Sequence, residues 1–267
     1  MKPIDMVTEQ GIRQALEENP FGLQVTVVEE TDSTNTQLKR LAREGAPSGT
    51  VLIARRQVGG RGRLGRRFES PEGGLYMSLL LRPDLPANDM LYLTTLTAVA
   101  VNEAVEAVCG VNPGIKWVND LYLDGRKICG ILAEAGFSPD GSRVDYTVIG
   151  IGVNVYAPEG GYPEEIRDIA GALYAHDDRE EGRRNRLAAA ILEKIMKKGH
   201  PLDKISVSRD YKARSVVIGK WVTVCRGDAE RDALVLDIDE ENHLVVRYGD
   251  GAEEALSTGE IRVKLHR

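Results

Sequence analysis

Cysteine is scarce in this sequence, and its placement excludes the structures that cysteine usually builds. The three cysteines, Cys109, Cys129 and Cys225, lie far apart and form no Cys-x-x-Cys pair. A zinc framework or a disulfide scaffold needs closely spaced or paired cysteines. The three are therefore predicted to be small buried apolar residues in a reducing compartment.

Long apolar runs are also absent. No stretch of the 267 residues reaches the roughly 20 apolar residues that a membrane-spanning helix needs. The opening Met1-Lys-Pro-Ile-Asp5 lacks the apolar core of a signal peptide. Together these absences predict a cytoplasmic protein with no membrane partner. The length favours one substantial domain and a smaller one.

Aromatic residues make up only 5% of the chain, and the formal net charge is -6. That balance argues against a general nucleic-acid or anionic-membrane binder. Residues 55–68 contrast with it, because they hold six arginines and no acidic residue. Glycines in the same stretch permit unusual backbone conformations. Guanidinium groups and exposed backbone N–H groups together are typical of a loop that folds around a phosphate. The alternative is a basic, solvated surface loop.

Gly60-Arg-Gly-Arg-Leu-Gly65 matches the dinucleotide-binding pattern G-x-G-x-x-G, but its surroundings argue against that function. A dinucleotide fold needs a helix directly after the glycines, and Glu69-Ser-Pro-Glu-Gly-Gly74 prevents one. Arg66-Arg67 stands where a P-loop requires Lys-Ser/Thr, and the kinase triplet His-Arg-Asp is absent. The stretch is predicted to be an anion-binding loop that becomes ordered when a phosphorylated ligand arrives.

The predicted elements mix strands and helices without the regular alternation of a doubly wound fold. Helices are predicted over 4–19, 36–43, 89–109, 164–175 and 183–198. Strands are predicted over 23–29, 50–55, 74–82 and 144–155, with a hairpin of 115–123 and 126–135 around the turn Asp124-Gly125. From about residue 216, short strands over 221–226, 233–238, 244–248 and 254–257 predict a small all-β barrel.

Hydrogen-bonding residues are unusually dense in Glu30-Thr-Asp-Ser-Thr-Asn35, just before the helix predicted at 36–43. One of Ser33, Thr34 and Asn35 is expected to cap that helix. The run supplies more polar side chains than one cap needs.

Charged and amide residues interrupt the apolar hairpin. Lys116-Trp-Val-Asn-Asp120 lies on its first arm, and Lys127 follows the turn on the second. Placing Asn119 and Asp120 within an apolar strand pair is costly unless the carboxylate has a partner. The hairpin therefore carries either a structural ion pair or a charged active site. Gly130, within the second arm, often marks the close approach of a ligand or another backbone.

A third pattern, Val148-Ile-Gly-Ile-Gly-Val-Asn-Val155, combines glycine with strand alternation. Gly150, Gly152 and Asn154 share one face of the strand, and the apolar residues between them share the other. The apolar face is predicted to enter a core. The glycine face is either a surface on which a flat heterocycle lies or a place that admits a neighbouring helix.

Together these segments resemble the biotin protein ligases, the biotin–[acetyl-CoA carboxylase] ligases. Five motifs match in the family's order over roughly residues 30–155: Asp32-Ser-Thr-Asn35, Gln57 with Gly60-Arg-Gly-Arg63-x-Gly65-Arg66, Lys116-Trp-x-Asn-Asp120, Lys127-x-x-Gly130-Ile-Leu132 and Gly150-x-Gly152-x-Asn154. The resemblance implies an α+β fold, a mixed β-sheet with helices of the class II synthetase-like type, and a small C-terminal SH3-like β-barrel. It implies a catalytic biotin- and ATP-binding domain over 1–215 and the barrel over 216–267.

The resemblance further implies a two-step reaction. The carboxylate of biotin attacks the α-phosphate of ATP, giving biotinyl-5′-adenylate and pyrophosphate. A lysine of a biotin carboxyl carrier domain, from acetyl-CoA carboxylase or a related carboxylase, then attacks the mixed anhydride and releases AMP. Both steps build negative charge on phosphate oxygens, which calls for fixed cations in a site that excludes water. Mg²⁺ is expected to accompany ATP, and no dedicated metal cage is predicted.

Site residues follow from the same resemblance. The implied catalytic residues are Arg63, Lys116, Lys127 and Asp120. The implied biotin-binding residues are Ser33, Thr34, Asn35, Gln57, Arg61, Gly62, Arg63, Lys127 and Gly130. The implied nucleotide-binding residues are Arg61, Arg63, Phe68, Lys116, Asn119, Gly150, Gly152 and Asn154. Lys127 is expected to hold the carboxylate of biotin and then the adenylate phosphate, Asn154 to read the adenine edge, and Asp120 to help position magnesium or the incoming lysine.

Two positions depart from the family pattern: Phe68 replaces a tryptophan, and Val118 replaces a proline. Phe68 keeps an aromatic face but lacks the indole N–H, which predicts weaker retention of the intermediate. Val118 relaxes a fixed φ and is expected to matter less. Only 31 residues precede Asp32, too few for the winged-helix DNA-binding domain of some relatives. Ligase activity without DNA binding is therefore expected, and homodimers occur in this family.

Three other functions stay open. Lipoate–protein ligases share the fold and the adenylate chemistry, but their Arg-Arg-x-Ser-Gly-Gly-Gly segment is absent here. A non-catalytic biotin- or nucleotide-binding regulator would not need Lys127, Arg61 and Arg63. A nucleic-acid-binding protein that uses the basic loop is disfavoured by the acidic balance and the few aromatics.

Overall fold

The computed structural model describes residues 5–16, 19–257 and 261–265. They form helices and strands in mixed order. The helices are α1 (Glu9–Ala15), α2 (Thr34–Arg43), α3 (Met90–Cys109), α4 (Arg183–Gly199) and α5 (Lys204–Ala213). The strands are β1 (Gln24–Thr31), β2 (Thr50–Gln57), β3 (Leu75–Leu81), β4 (Gly114–Lys116), β5 (Asp120–Leu123), β6 (Arg126–Phe137), β7 (Val144–Val153), β8 (Trp221–Arg226), β9 (Ala229–Ile238), β10 (Leu244–Tyr248), β11 (Glu253–Leu256) and β12 (Ile261–Leu265).

The first sheet has seven strands in the order β1-β2-β3-β7-β6-β5-β4. β1 and β2 run parallel, with α2 as their crossover, and the remaining neighbours are antiparallel. In the central β6–β7 ladder, Gly130 lies directly opposite Gly152. The predicted mixed sheet with helices is thereby confirmed.

Strand alternation sends the side chains of this sheet to two faces. Ile149 and Ile151 of β7 enter the main core, against which α1, α3 and α4 pack. Val148 points the other way and packs with Leu38 of α2 and Leu80 of β3 in a smaller cluster. The apolar face predicted for β7 therefore does enter a core, and its glycine face turns toward α2.

The second sheet has five antiparallel strands in the order β11-β10-β9-β8-β12. This arrangement agrees with the predicted SH3-like unit, although no ladder joins β11 to β12 within the described residues. Its buried residues, among them Val222 and Val246, belong to the same hydrophobic core as the helices of the first sheet. The domain boundary at 215/216 remains a prediction.

Two predicted elements are wrong. The strand over 115–123 is broken by a turn at 117–119 into β4 and β5. No helix forms over 164–175: residues 164–169 are turns. The backbone on either side of Ala170 bonds to β6, since Lys127 N donates to Ile169 O at 2.7 Å and Gly171 N donates to Lys127 O at 2.8 Å. The turn at Asp124-Gly125 is confirmed, since both residues have positive φ, 50° and 74°, as type I′ requires.

The ends of the chain were predicted less well than its middle. Of the helix predicted over 4–19, residues Glu9–Ala15 are helical, while residue 4 and residues 17–18 lie outside the described residues. Helix α5 was not predicted, because its serines and β-branched residues weaken the helical pattern. Asp203 caps it, accepting a hydrogen bond from Ser206 N. Among the described residues, we find no helix with the length and apolar character needed to cross a bilayer.

Candidate active site

A cavity of about 580 Å³ lies among the start of α2, the loop after β2, the β4–β5 turn, and strands β6 and β7. That volume is typical of a small-molecule site. Every predicted site residue except Asn154 lines it: Ser33, Thr34, Asn35, Gln57, Arg61, Gly62, Arg63, Phe68, Lys116, Asn119, Asp120, Lys127, Gly130, Gly150 and Gly152. Segments that are distant in sequence thus meet at one place.

The N-terminus of α2 is capped by a side chain from another element. Ser33 holds the N-cap position, as expected of the polar run, but its hydroxyl makes no capping hydrogen bond. Instead, Gln57 Oε1 accepts from Thr34 N at 2.8 Å and from the Thr34 hydroxyl at 3.1 Å. Gln57 therefore satisfies a helix N–H group and fixes Thr34 at the wall of the cavity.

Two serines that the sequence did not single out extend this network. Gln57 Nε2 donates to Ser70 Oγ at 2.9 Å. Ser78, fully buried in the apolar strand β3, contacts both the Thr34 hydroxyl at 2.7 Å and Asn35 Oδ1 at 2.6 Å. A lone polar residue in an otherwise apolar strand needs a buried hydrogen-bond partner. This requirement could have identified Ser78 from the sequence.

Glu134 is a further residue that the sequence reading missed, and it sits behind the cavity wall. It accepts hydrogen bonds from Lys39 Nζ at 2.7 Å and from Asn35 Nδ2 at 3.0 Å, and it lies 3.4 Å from Arg61 Nη2. Burial alone would raise the pKa of Glu134, but the hydrogen bonds from Lys39 and Asn35 outweigh it, so its pKa lies below the ordinary value. Alternation along β6 places Glu134 on the same face as Gly130. This pattern could have identified Glu134 from the sequence.

The arginine-rich loop folds back on itself. Gly62 N donates to Arg66 O at 2.8 Å, and Phe68 N donates to Gly60 O at 3.0 Å. At the tip, Leu64 and Gly65 adopt positive φ, 58° and 71°. Glycine accommodates this without strain, whereas leucine rarely adopts it. This hairpin-like return brings the loop's arginines to the cavity.

Cations outnumber carboxylates around the cavity. The cationic residues are Arg61, Arg63, Arg66, Arg67, Lys116 and Lys127, and the acidic residues are Asp120 and Asp168. Lys127 Nζ lies 2.6 Å from Asp120 Oδ1, so the ion pair considered for the hairpin does form. The remaining positive charge favours an anionic ligand.

Burial affects two cations beside Asp120. It lowers the pKa of Lys116 below that of an exposed lysine, and the nearby Asp120 carboxylate partly opposes this. It lowers the pKa of Arg63 in the same way, again opposed by Asp120. Arg63 also donates to Asn119 Oδ1 at 3.2 Å, which links the loop to the β4–β5 turn. An anionic ligand would offset the cost of burying these two cations.

The glycine face of β7 is not bare. The ring of Phe68 lies over the cross-strand pair Gly130 and Gly152: a Cβ at Gly152 would lie 2.5 Å from Phe68 Cε1, and one at Gly130 would lie 3.0 Å from Phe68 Cε2. A Cβ at Gly150 would collide with the Asn35 amide on α2. The alternative that the glycines admit a neighbouring helix is therefore right for Gly150. At Gly152 they admit an aromatic ring, which presents its own flat face.

Asn154 occupies a different place from the one predicted. Its side chain is buried and donates through Nδ2 to Gly171 O at 2.9 Å, and it is absent from the cavity lining. Its backbone N–H donates to Ile128 O at 2.8 Å. Asn154 thus connects the turn segment that contains Gly171 to β6. Its position is structural, and its side chain does not face the cavity.

The second sheet reaches the site through Trp117. The indole Nε1 of this cavity-lining residue donates to Asn242 O at 2.9 Å, in the turn between β9 and β10. The same turn accepts at Glu240 O from the Tyr92 hydroxyl at 2.8 Å and the Ser208 hydroxyl at 3.1 Å. The segment that supplies Lys116 is therefore supported from outside the first sheet.

Comparisons with known proteins agree on one family. The model of the biotin/lipoate A/B protein ligase family matches residues 27–154. The chain is 32% identical over 252 residues to the biotin–[acetyl-CoA-carboxylase] ligase of Mycobacterium tuberculosis, covering 89% of this chain and 88% of that protein. It is 30% identical to the ligase of the same name from Paracoccus denitrificans, covering 86% of this chain and 97% of that protein.

A bifunctional ligase/repressor and a solved structure are also similar. Identity to BirA of Bacillus spizizenii is 40% over 168 residues, which cover 62% of this chain and 51% of that protein. The chain therefore spans about half the length of that relative. The solved structure of the biotin protein ligase from Aquifex aeolicus in complex with biotin and ATP superposes with a TM-score of 0.74 at 28% identity, covering 91% of this chain and 99% of that chain.

Proposed function

This chain belongs to the biotin protein ligases of the biotin/lipoate A/B protein ligase family, and we propose that it activates biotin with ATP and transfers it to a lysine of a biotin carboxyl carrier domain. One observation supports this most directly. A single cavity combines an amide- and hydroxyl-lined wall at α2 with a group of partly buried cations around Asp120. Biotin has a matching shape, with a polar ureido ring at one end and a carboxylate at the other.

In the first step, a carboxylate oxygen of biotin forms a bond to the α-phosphorus of ATP, and the bond from that phosphorus to the bridging oxygen breaks with release of pyrophosphate. Lys127, Lys116 and Arg63 stabilise the charge that grows on the phosphate oxygens. Asp120, 2.6 Å from Lys127, orients the ammonium group. Because burial already desolvates Lys116 and Arg63, little reorganisation is needed when the charge develops.

The ureido ring lies against the wall formed by Ser33, Thr34, Asn35 and Gln57. Thr34 and Gln57 are held by hydrogen bonds to each other, so the polar wall is pre-organised before biotin binds. The ring of Phe68 supplies the flat apolar surface next to Gly130 and Gly152. Gly62 and Arg61 bring the loop backbone to the same end of the ligand.

In the second step, the amine of the carrier lysine attacks the acyl carbon of biotinyl-5′-adenylate, and AMP leaves with the electron pair of the broken C–O bond. Loss of a proton from the amine completes the amide. The same cations hold the departing phosphate, so one site serves both steps. Asn119 and Arg63, joined by a 3.2 Å hydrogen bond, keep the loop near that phosphate.

Magnesium enters with ATP as part of the substrate. The cavity offers two carboxylates, Asp120 and Asp168, and Asp120 is engaged by Lys127. This donor set suits a hydrated ion carried by phosphates rather than an all-protein cage. We further propose that the carrier domain is its protein partner, that the protein forms a homodimer and that it is located in the cytoplasm.

Incubation of the protein with ATP, biotin and an apo carrier domain tests the function. We expect pyrophosphate release that depends on biotin, followed by covalent biotin on the carrier. The Lys127→Ala variant is the negative control. Biotin binding without pyrophosphate release would instead indicate a regulator, and transfer of lipoate in place of biotin would indicate a lipoate ligase.

A further inference from the structure

Glu134 bridges three segments that build the biotin end of the cavity, although it is not itself among the lining residues. It lies on β6, and its partners are Asn35 and Lys39 on α2 and Arg61 on the loop. Its side chain is only 16% exposed, so its contacts with Asn35 and Lys39 are largely shielded from water, whereas Arg61 is 47% exposed. Such charge-assisted contacts are stronger than neutral hydrogen bonds.

The two carboxylate oxygens of Glu134 contact different partners. Oε1 faces the cations, 2.7 Å from Lys39 Nζ and 3.4 Å from Arg61 Nη2. Oε2 accepts from Asn35 Nδ2 at 3.0 Å. Glutamine has one side-chain oxygen and one NH₂ group, so it cannot accept hydrogen bonds on both sides. Its NH₂ group would face either the cations or the NH₂ group of Asn35.

The contact with Glu134 also fixes the chemistry that Asn35 offers. Asn35 Nδ2 donates to Leu132 O at 3.1 Å as well as to Glu134, which uses both of its hydrogens. Asn35 Oδ1 accepts from the Ser78 hydroxyl at 2.6 Å and keeps one further lone pair. Toward a ligand, the Asn35 amide can therefore act only as a hydrogen-bond acceptor, through that remaining lone pair of Oδ1. The ureido ring of biotin carries N–H donors that match an acceptor, whereas the dithiolane ring of lipoate has none.

We infer that Glu134 is a positioning residue for biotin specificity, which fixes Asn35 as an acceptor and holds Arg61 of the loop beside it. This inference rests on the proposed function. Within the described residues, Glu134 does not contact Lys116, Lys127 or Asp120, so it reaches the nucleotide-binding residues through Arg61.

The Glu134→Gln variant tests the inference, with Lys39→Met as the matched control. Lys39→Met removes the nearest ion pair of the same carboxylate but leaves Glu134 both oxygens for Asn35 and Arg61. By calorimetry, we expect Glu134→Gln to weaken biotin binding by about tenfold, as the loss of one charge-assisted hydrogen bond predicts. We expect Lys39→Met to bind biotin as the wild type does. We expect Glu134→Gln to change the KM for ATP less than the biotin affinity, because Glu134 bonds Asn35 directly and reaches the nucleotide-binding residues through Arg61 at 3.4 Å.

A purely structural role makes a different prediction. The two variants would then lower the thermal midpoint and the biotin affinity together, and that result would overturn the inference. A double-mutant cycle adds a second test: in an Asn35→Ala background, Glu134→Gln should cost little further biotin affinity, and full additivity would contradict the role. If the wild type itself binds no biotin, the proposed function fails instead.

Discussion

Gly152 could lack a side chain in order to make room for the ring of Phe68 or to make room for the ligand. A substitution at Gly152 distinguishes these two roles. In a Gly152→Ala variant, the new Cβ would lie 2.5 Å from Phe68 Cε1, about 1 Å closer than a normal carbon–carbon contact. Either the ring or the strand must move. Gly152 lies in the central β6–β7 ladder, so we expect the ring to be displaced.

The size of the effect follows from what the ring loses. Overpacking of this kind typically costs about 1–3 kcal/mol. The ring would also leave its edge-to-face contact with Tyr76, whose centroid is 6.4 Å away, and its place 5.9 Å from Lys127 Nζ. We therefore expect Gly152→Ala to lower the free energy of unfolding by about 1–3 kcal/mol, which is roughly 0.3–1 M in the urea midpoint for a slope near 3 kcal/mol/M.

The decisive measurement is the effect of Gly152→Ala in a variant that lacks the ring of Phe68. In a Phe68→Ala background the clash is gone, so Gly152→Ala should cost less than about 0.5 kcal/mol in stability and should leave biotin affinity where Phe68→Ala alone puts it. Gly249→Ala is the control, because no atom of the described residues lies within 4 Å of a Cβ there. An undiminished cost in the Phe68→Ala background would refute the assignment of Gly152 to the ring. A further loss of biotin affinity there would show that the ligand itself lies on Gly152.

Three further predictions concern the cations and the loop. Lys127→Ala should weaken binding of the adenylate more than that of free biotin, because Lys127 meets a charge that persists through both steps; equal losses, measured by calorimetry, would contradict that role. Because burial lowers the pKa of Lys116, its charge is lost as pH rises at values below those of an exposed lysine, so kcat/KM for ATP should fall on the alkaline side. Lys116→Arg should remove that fall, and an unchanged alkaline limb in this variant would assign the fall to another group. Residues 58–68 should exchange amide hydrogens faster without ligand than with biotin and a non-hydrolysable ATP analogue, and equal exchange rates in both states would argue against closure of the loop.

Local chemistry made much of the fold predictable from the sequence. The β-branched and apolar runs of β2, β3 and β7 indicated strands, and Asp124-Gly125 indicated a type I′ turn with two positive φ values. The motif residues meet because they lie at the start of α2, in the loop after β2 and in neighbouring strands of one sheet. A match of five motifs in order was sufficient to place almost all of them around one cavity.

The partners of those residues were harder to predict, because they depend on which strands pair and in what register. Glu134 meets Lys39 only because β6 lies beside β7 and α2 packs on that face. Phe68 reaches Gly152 only because the register sets Gly130 opposite it. The helix predicted over 164–175 is wrong, and the segment is instead joined to Lys127 by Ile169 O and Gly171 N, a partner that no local pattern reveals.

The hydrogen bond from Trp117 to Asn242 has a consequence for how the chain can be shortened. Among the described residues, none of the second sheet lines the cavity, so a fragment that ends before β8 would keep every described lining residue. It would nevertheless lose the acceptors for Trp117, Tyr92 and Ser208, and each buried donor would then need a new partner. We therefore expect such a fragment to be less stable than the full chain, because trimming guided by the cavity alone would remove part of the support of Trp117.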